Sequence, residues 1–376
     1  MKKILWITLI FSLFLSITLF IPKSYGNQSE IRGIWFWTNH ILDNNNETIA
    51  RVQLMQEFQL YKELNITEIF FLAKDSYFLY NTNISTNALG YDALKLACEL
   101  APQYGLNIHA WYCVMRDTYL ISQNETYAMV KIDGSINYEW MNPVYPEVHG
   151  YILSIVNELL HYPIKGIHLD YMCFPTNQYS YDNYSRSLFQ SEYGFDPIND
   201  PNNETWVNWR CQQITNIVNE IKVEIKTFNS SLILSSANSW YSKERLLEDW
   251  LNWKIDWVLP MAYTDSSYLF ERTCKMAKPK EGASKVLMGI GLYVYNDSSI
   301  LIQQINMTRQ YGFSGWSLFR DEYLYNDDFI KTIKNIDQIL NVNPSPSTIW
   351  YHDPKMFAIV IVLCFMGILV FKEFYK

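Results

Sequence analysis

The chain has 376 residues, with 38 Asp plus Glu against 30 Lys plus Arg, a formal net charge of −8 at pH 7 and a pI near 5.3. That balance speaks against a nucleic-acid partner, because phosphate binding needs clustered Lys and Arg. The six cysteines contain no C-x-x-C pair, which removes the usual zinc spacing and any dense disulfide framework.

In chain order, Lys2 and Lys3 precede an apolar run from Ile4 to Ile21 and the small residues of Ser24-Tyr25-Gly26. This reads as a signal peptide over residues 1–26. Short apolar runs bounded by turn residues then predict eight strands, at Ile31–Trp37, Ile66–Ala73, Asn107–Val114, Ile164–Asp170, Leu232–Ala237, Ile255–Tyr263, Val286–Tyr293 and Phe313–Phe319. Several are apolar nearly throughout, as parallel strands are when both faces are covered. Helical periodicity fills the gaps, at Glu47–Leu64, Ala88–Tyr104, Pro146–Leu160, Glu204–Thr227, Lys243–Leu251, Phe270–Met276, Ser299–Tyr311 and Asp327–Leu340. Strict alternation of this kind predicts an α/β fold, a (β/α)₈ TIM barrel over residues 27–340. A doubly wound open sheet is the runner-up, but no G-x-G-x-x-G follows the first strand. Residues 341–355 have linker composition, Met356–Phe371 form an uncharged apolar run that predicts one transmembrane helix, and residues 372–376 are a lysine-bearing cytoplasmic tail. The barrel is thereby expected outside the cell, held at its surface, and Asn-x-Ser/Thr sequons from Asn27 to Asn306 fit a glycosylated exterior. Cys98, Cys113, Cys173, Cys211 and Cys274 fall in this part, an odd set that allows at most two disulfides, with buried thiols as the plain alternative.

In such a barrel, functional side chains are sought at the carboxyl ends of the strands. Those ends offer Trp37, Asn39, Asp75, Trp111, Asp170, Tyr171, Asn238, Tyr263, Asp265, Trp316 and Asp321. The fourth strand alternates an apolar outer face with an inner face of His168 and Asp170, so Asp170 is expected to point into the mouth. Desolvation among rings raises a carboxyl pKa and suits a general acid. The plainer alternative is an Asp that caps a turn or pairs with an arginine. A second carboxylate is sought among Asp265, Asp75 and Asp321, with Asp265 preferred. The chain has 28 Tyr and 13 Trp, and ring faces stack well on sugars.

Met141-Asn142-Pro143-Val144-Tyr145-Pro146 and Gly166-Ile167-His168-Leu169-Asp170-Tyr171-Met172-Cys173-Phe174-Pro175 resemble the signature of the glycosyl-hydrolase-like family 10 proteins. Arg32-Gly33-Ile34-Trp35, Trp209-Arg210 and Asp256-Trp257-Val258-Leu259-Pro260-Met261-Ala262-Tyr263 look like further landmarks of that family, so the likeness covers most of residues 31–320. It implies a sugar-directed hydrolase fold with Asp170 at the functional position. The chain departs from relatives at Cys173, where an arginine is frequent, and at Tyr171, where many carry a charged residue. Family 18 chitinases share parts of the fourth and sixth strands, but Met172 stands where their series needs an acid.

The expected function is hydrolysis of an extracellular polysaccharide or glycan, with Asp170 and Asp265 as the acid pair. Trp37, Asn39, Asp75, Trp111, His168, Tyr171, Asn238, Tyr263 and Trp316 are expected to contact the sugar. Neither metal nor cofactor is called for. The competing class is a surface carbohydrate-binding protein that has kept the ring-lined cleft and lost the acid pair.

Overall fold

The computed structural model describes residues 30–37, 42, 46–240, 242–278 and 284–342. The signal peptide, the transmembrane span, the tail and all of the linker beyond Val342 lie outside the described residues. Among the described residues no helix is long and apolar enough to cross a membrane.

Among the described residues ten strands follow in chain order: β1 (Ile31–Phe36), β2 (Glu68–Lys74), β3 (Asn107–Cys113), β4 (Ala128–Val130), β5 (Ile136–Met141), β6 (Gly166–Asp170), β7 (Ile233–Asn238), β8 (Trp257–Pro260), β9 (Lys285–Gly291) and β10 (Gly315–Phe319). Eight of them close a parallel barrel in the order β1-β10-β9-β8-β7-β6-β3-β2. Every residue of β2 and β6 is buried, which is why these strands read as unbroken apolar runs despite Lys74, His168 and Asp170. The helix Pro146–Leu160 begins with Pro at its first turn, where a missing N–H costs nothing.

The barrel interior is polar at two levels. Glu68 meets His109 at 2.9 Å, and Phe70 packs between His109 and His168 with centroids 5.1 and 4.3 Å away. Trp35 Nε1 donates to His168 Nε2 at 2.9 Å, so the other ring nitrogen carries the proton towards Ser235 Oγ, also 2.9 Å away. Burial holds His168 well below its ordinary pKa, consistent with this neutral form. Gly166 makes this floor possible, since a Cβ there would lie 2.2 Å from the Ile233 carbonyl oxygen and 2.9 Å from His109 Nδ1.

Among the departures from expectation, three bear on the site. β4 and β5 form an antiparallel hairpin around Asp133-Gly134, with Gly134 at φ 85°. A polar helix, Asn183–Tyr193, is capped by Asp182 and stopped by Gly194 in the left-handed region. Between β7 and β8 the helix expected over Lys243–Leu251 is replaced by one π turn, Ser242–Leu246, and one 3₁₀ turn, Trp250–Asn252. The break falls at Leu247, whose φ of 55° cannot continue a helix. All five described cysteines are free and buried.

Candidate active site

A cavity of about 380 Å³ opens at the carboxyl end of the barrel. Its lining includes Trp37 after β1, Trp111 of β3, Trp140 of the hairpin, Asp170 and Tyr171 at β6, Glu248 after β7, and Tyr263 after β8. Two carboxyl groups therefore enter one aromatic-walled space.

Asp170 is the last residue of β6, level with Cys113 of β3. Its Oδ2 accepts from Trp111 Nε1 at 3.1 Å and its Oδ1 from the Tyr171 N–H at 2.7 Å. Burial pushes its pKa up to about 6; the two hydrogen bonds act downward, and the charge of nearby Asp75 adds to the rise.

Glu248 is 2% exposed. Its Oε1 accepts from Asn238 Nδ2 at 2.7 Å and its Oε2 from the Ser239 N–H at 3.1 Å. Ser236 Oγ donates to Asn238 Oδ1 at 2.8 Å, which fixes the amide with its nitrogen towards the glutamate. Burial raises Glu248 to about 8 against those hydrogen bonds, and the charge of Asp170 pushes the same way.

The loops carrying the two acids are tied together. Phe174 N donates to the Leu246 carbonyl at 2.9 Å, and Asn177 Nδ2 to the Glu244 carbonyl at 3.1 Å. Arg210, buried and stacked 4.7 Å over Trp206, donates to the carbonyls of Asn177 at 2.6 Å and Tyr179 at 3.0 Å. Asn142 serves the same scaffold: its Nδ2 reaches Asp182 at 2.7 Å and Ser185 at 3.0 Å, joining the hairpin to the helix Asn183–Tyr193.

Of the residues expected to act, Asp170, Trp37, Trp111, Tyr171 and Tyr263 come together in the cavity. Asp265 does not; it is exposed on the bend before the helix Ser267–Ala277 and is absent from the lining. His168 lies in the floor beneath, held by Trp35 and Ser235. Trp316 is the second residue of β10, fully buried with Arg32 5.7 Å over its ring, near the amino end of the barrel rather than at the mouth. Asn238 is buried and supports Glu248 instead of facing the cavity. Asp75 is 8% exposed at the end of β2, outside the lining but close enough to influence Asp170. Asp321 is 1% exposed and accepts from the Trp37 N–H at 3.0 Å, so it positions the cavity wall. Asn39 lies outside the described residues. Glu248 and Trp140 were not anticipated. Among the described residues no group of His, Cys, Asp and Glu is arranged to hold a metal ion.

A closed parallel barrel with two buried carboxyl groups among rings at its carboxyl rim is a glycoside-hydrolase-type architecture. The chain belongs to the glycosyl hydrolase-like 10 family, whose profile matches residues 30–311. No curated protein matches it in sequence. In fold it resembles the glycoside hydrolase domain of PgaB (BpsB) from Bordetella bronchiseptica, with a TM-score of 0.70 at 12% identity, over 82% of this chain and 99% of that one. The catalytic domain of a β-amylase from Paenibacillus polymyxa gives 0.59 at 12% identity, over 83% and 98% of the two chains. An α-L-fucosidase isoenzyme from Paenibacillus thiaminolyticus gives 0.59 at 14%, over 84% of this chain and 50% of that one.

Proposed function

We propose that this protein hydrolyses O-glycosidic bonds in a polysaccharide or glycan, with Glu248 as general acid and Asp170 as nucleophile or base. One observation carries the reading: two buried carboxyl groups, raised to about 8 and about 6, share one ring-lined cavity. At pH 7 Glu248 keeps its proton while Asp170 is mostly ionised. Glycoside cleavage needs that division, one group to protonate the leaving oxygen and one to attack or to activate water. The order of roles is opposite to that expected from the sequence, because Glu248 is the more deeply desolvated group. Trp37 and Tyr263, both half-buried in the cavity wall, supply faces on which sugar rings stack, while the buried Trp111 holds Asp170 through its indole N–H.

We place the barrel at the cell surface, on the strength of the lysine-led apolar run at residues 4–21 and the uncharged run at 356–371. The deciding experiment is release of reducing ends from a polysaccharide panel by the unaltered chain and by Asp170→Asn, Glu248→Gln and Asp265→Asn. Loss in the first two and full turnover in the third is expected. Full turnover in Glu248→Gln, or glycan retention with no hydrolysis by the unaltered chain, refutes the catalytic assignment.

A further inference from the structure

The rings of the cavity continue past its rim. Tyr263, in the wall, stacks on Phe319 with centroids 4.9 Å apart and meets Tyr293 edge-on at 5.9 Å. Tyr293 in turn lies 5.8 Å from Tyr323, and these two outer rings are 46% and 40% exposed. Each is carried by a single 3₁₀ turn, Leu292–Val294 after β9 and Asp321–Tyr323 after β10, so short hydrogen-bonded backbone rather than a long loop presents the faces. The Arg320 guanidinium links this ledge to the cavity, 4.9 Å over Trp37 and 5.8 Å from Tyr323. On another wall Trp140 meets Tyr171 at 5.6 Å, and Arg116 lies 5.8 Å over Tyr171.

The strand order puts β9 and β10 across the barrel from β3 and β6. Tyr293 and Tyr323 follow the first pair; Trp140 and Tyr171 follow the second. Two aromatic ledges therefore face one another, the Trp140–Tyr171 pair in the cavity wall and the Tyr293–Tyr323 pair beyond the rim opposite it. The charges on both ledges are internally paired, Arg320 with Glu322 and Arg116 with Glu139 at 3.6 Å. A ledge of this kind suits an uncharged ligand with flat C–H faces better than a polyanion.

We infer that the mouth holds a linear, neutral glycan chain laid across the barrel, from the Tyr293–Tyr323 ledge over the acids to the Trp140–Tyr171 ledge. The inference rests on reading the cavity as a carbohydrate site. The Trp140–Tyr171 rings line the cavity on the hairpin side while the Tyr263, Phe319, Tyr293 and Tyr323 rings run out past the opposite rim, so aromatic faces flank the acids on both sides. In an active protein the first products are accordingly internal fragments rather than single sugars.

The test is an array of glucan, xylan, mannan, galactan and N-acetylglucosamine oligomers of graded length, with polygalacturonate as the anionic control. It is probed with the full chain, with Asp170→Asn, with Tyr293→Ala/Tyr323→Ala and with Tyr293→Phe/Tyr323→Phe. Expected are retention of one neutral series that strengthens with chain length, its persistence in Asp170→Asn, a loss of about tenfold in the double alanine form, and recovery in the phenylalanine form, which keeps the faces. Length-dependent, tyrosine-dependent retention without hydrolysis upholds the ledges and refutes only the catalytic reading above. Retention that is complete at a single sugar, unchanged in the alanine form, confined to polygalacturonate or absent for every glycan overturns the inference, as do first products that are monosaccharides.

Discussion

Replacing Glu248 by Gln should make the protein more stable at alkaline pH while removing its activity, and the first half of that statement needs no substrate to test. The folded pKa of Glu248 is about 8 against an ordinary value of 4.5, chiefly through burial. The folded state therefore binds this proton more tightly than the unfolded chain does. The stability it confers is fully present below pH 4.5 and is lost progressively as pH rises through about 8. At about 1.4 kcal/mol per pH unit, the difference amounts to roughly 5 kcal/mol above pH 8, and about 3 kcal/mol at pH 7. Gln carries no charge, but its amide nitrogen must face either Asn238 Nδ2 or the Ser239 N–H, both donors, so near pH 4.5 the glutamine form should be the less stable by about 1–3 kcal/mol. Urea unfolding of both at pH 4.5, 7 and 8.5 measures the gap directly. A gap that stays constant across these pH values, or a glutamine form less stable at pH 8.5, would refute the claim that Glu248 is held neutral.

The same two groups set the pH dependence of hydrolysis. The rate should rise as Asp170 ionises through about 6, fall as Glu248 ionises through about 8, and drop about tenfold at pH 5 and at pH 9 relative to pH 7. Trp111→Phe removes the donor to Asp170 Oδ2, so the acidic limb alone should move to higher pH. Gly166→Ala should abolish folding or cost several kcal/mol in a denaturant melt, because the contact its Cβ must make, 2.2 Å, is with backbone that has nowhere to go. Lys74→Met should cost about 3–5 kcal/mol, since Lys74 and Asp117 pair at 2.7 Å with neither side chain exposed, and Lys74→Met/Asp117→Asn should regain much of that loss.

How far the sequence discloses this molecule depends on which physical signal each element carries. Parallel barrel strands bury both faces, so Glu-Ile-Phe-Phe-Leu-Ala-Lys announces β2 even with charges at its ends. The hairpin does carry a signal, Asp133-Gly134 between two short runs, yet β4 is only three residues long and β5 is largely exposed without the alternation that marks a sheet face. Depth is a subtler matter. Alternation along β6 correctly turns His168 and Asp170 to the same side, but it cannot rank them, and one step of two residues separates the cavity from its floor. Trp316 shows the same limit, being three residues short of the tip of β10 and enclosed by Arg32.

Glu248 was hidden for a different reason. Leu246, Leu247, Trp250 and Leu251 recur at helical spacing, and on such a helix Glu248 falls on the solvent face. The chain refuses that helix at Leu247, and the refusal is what turns the glutamate inward to Asn238 and Ser239. Among the described residues four non-glycine positions have positive φ: Asn65, Tyr171, Ser180 and Leu247. Asn tolerates that region through its short polar side chain, whereas Tyr and Leu do not, at a cost of order 1 kcal/mol or more each. The two bulky exceptions are the neighbours of Asp170 and Glu248. A sequence optimised for stability alone would relax both positions, so strain concentrated beside the two acids is itself an argument that their placement is what the loops are shaped to hold.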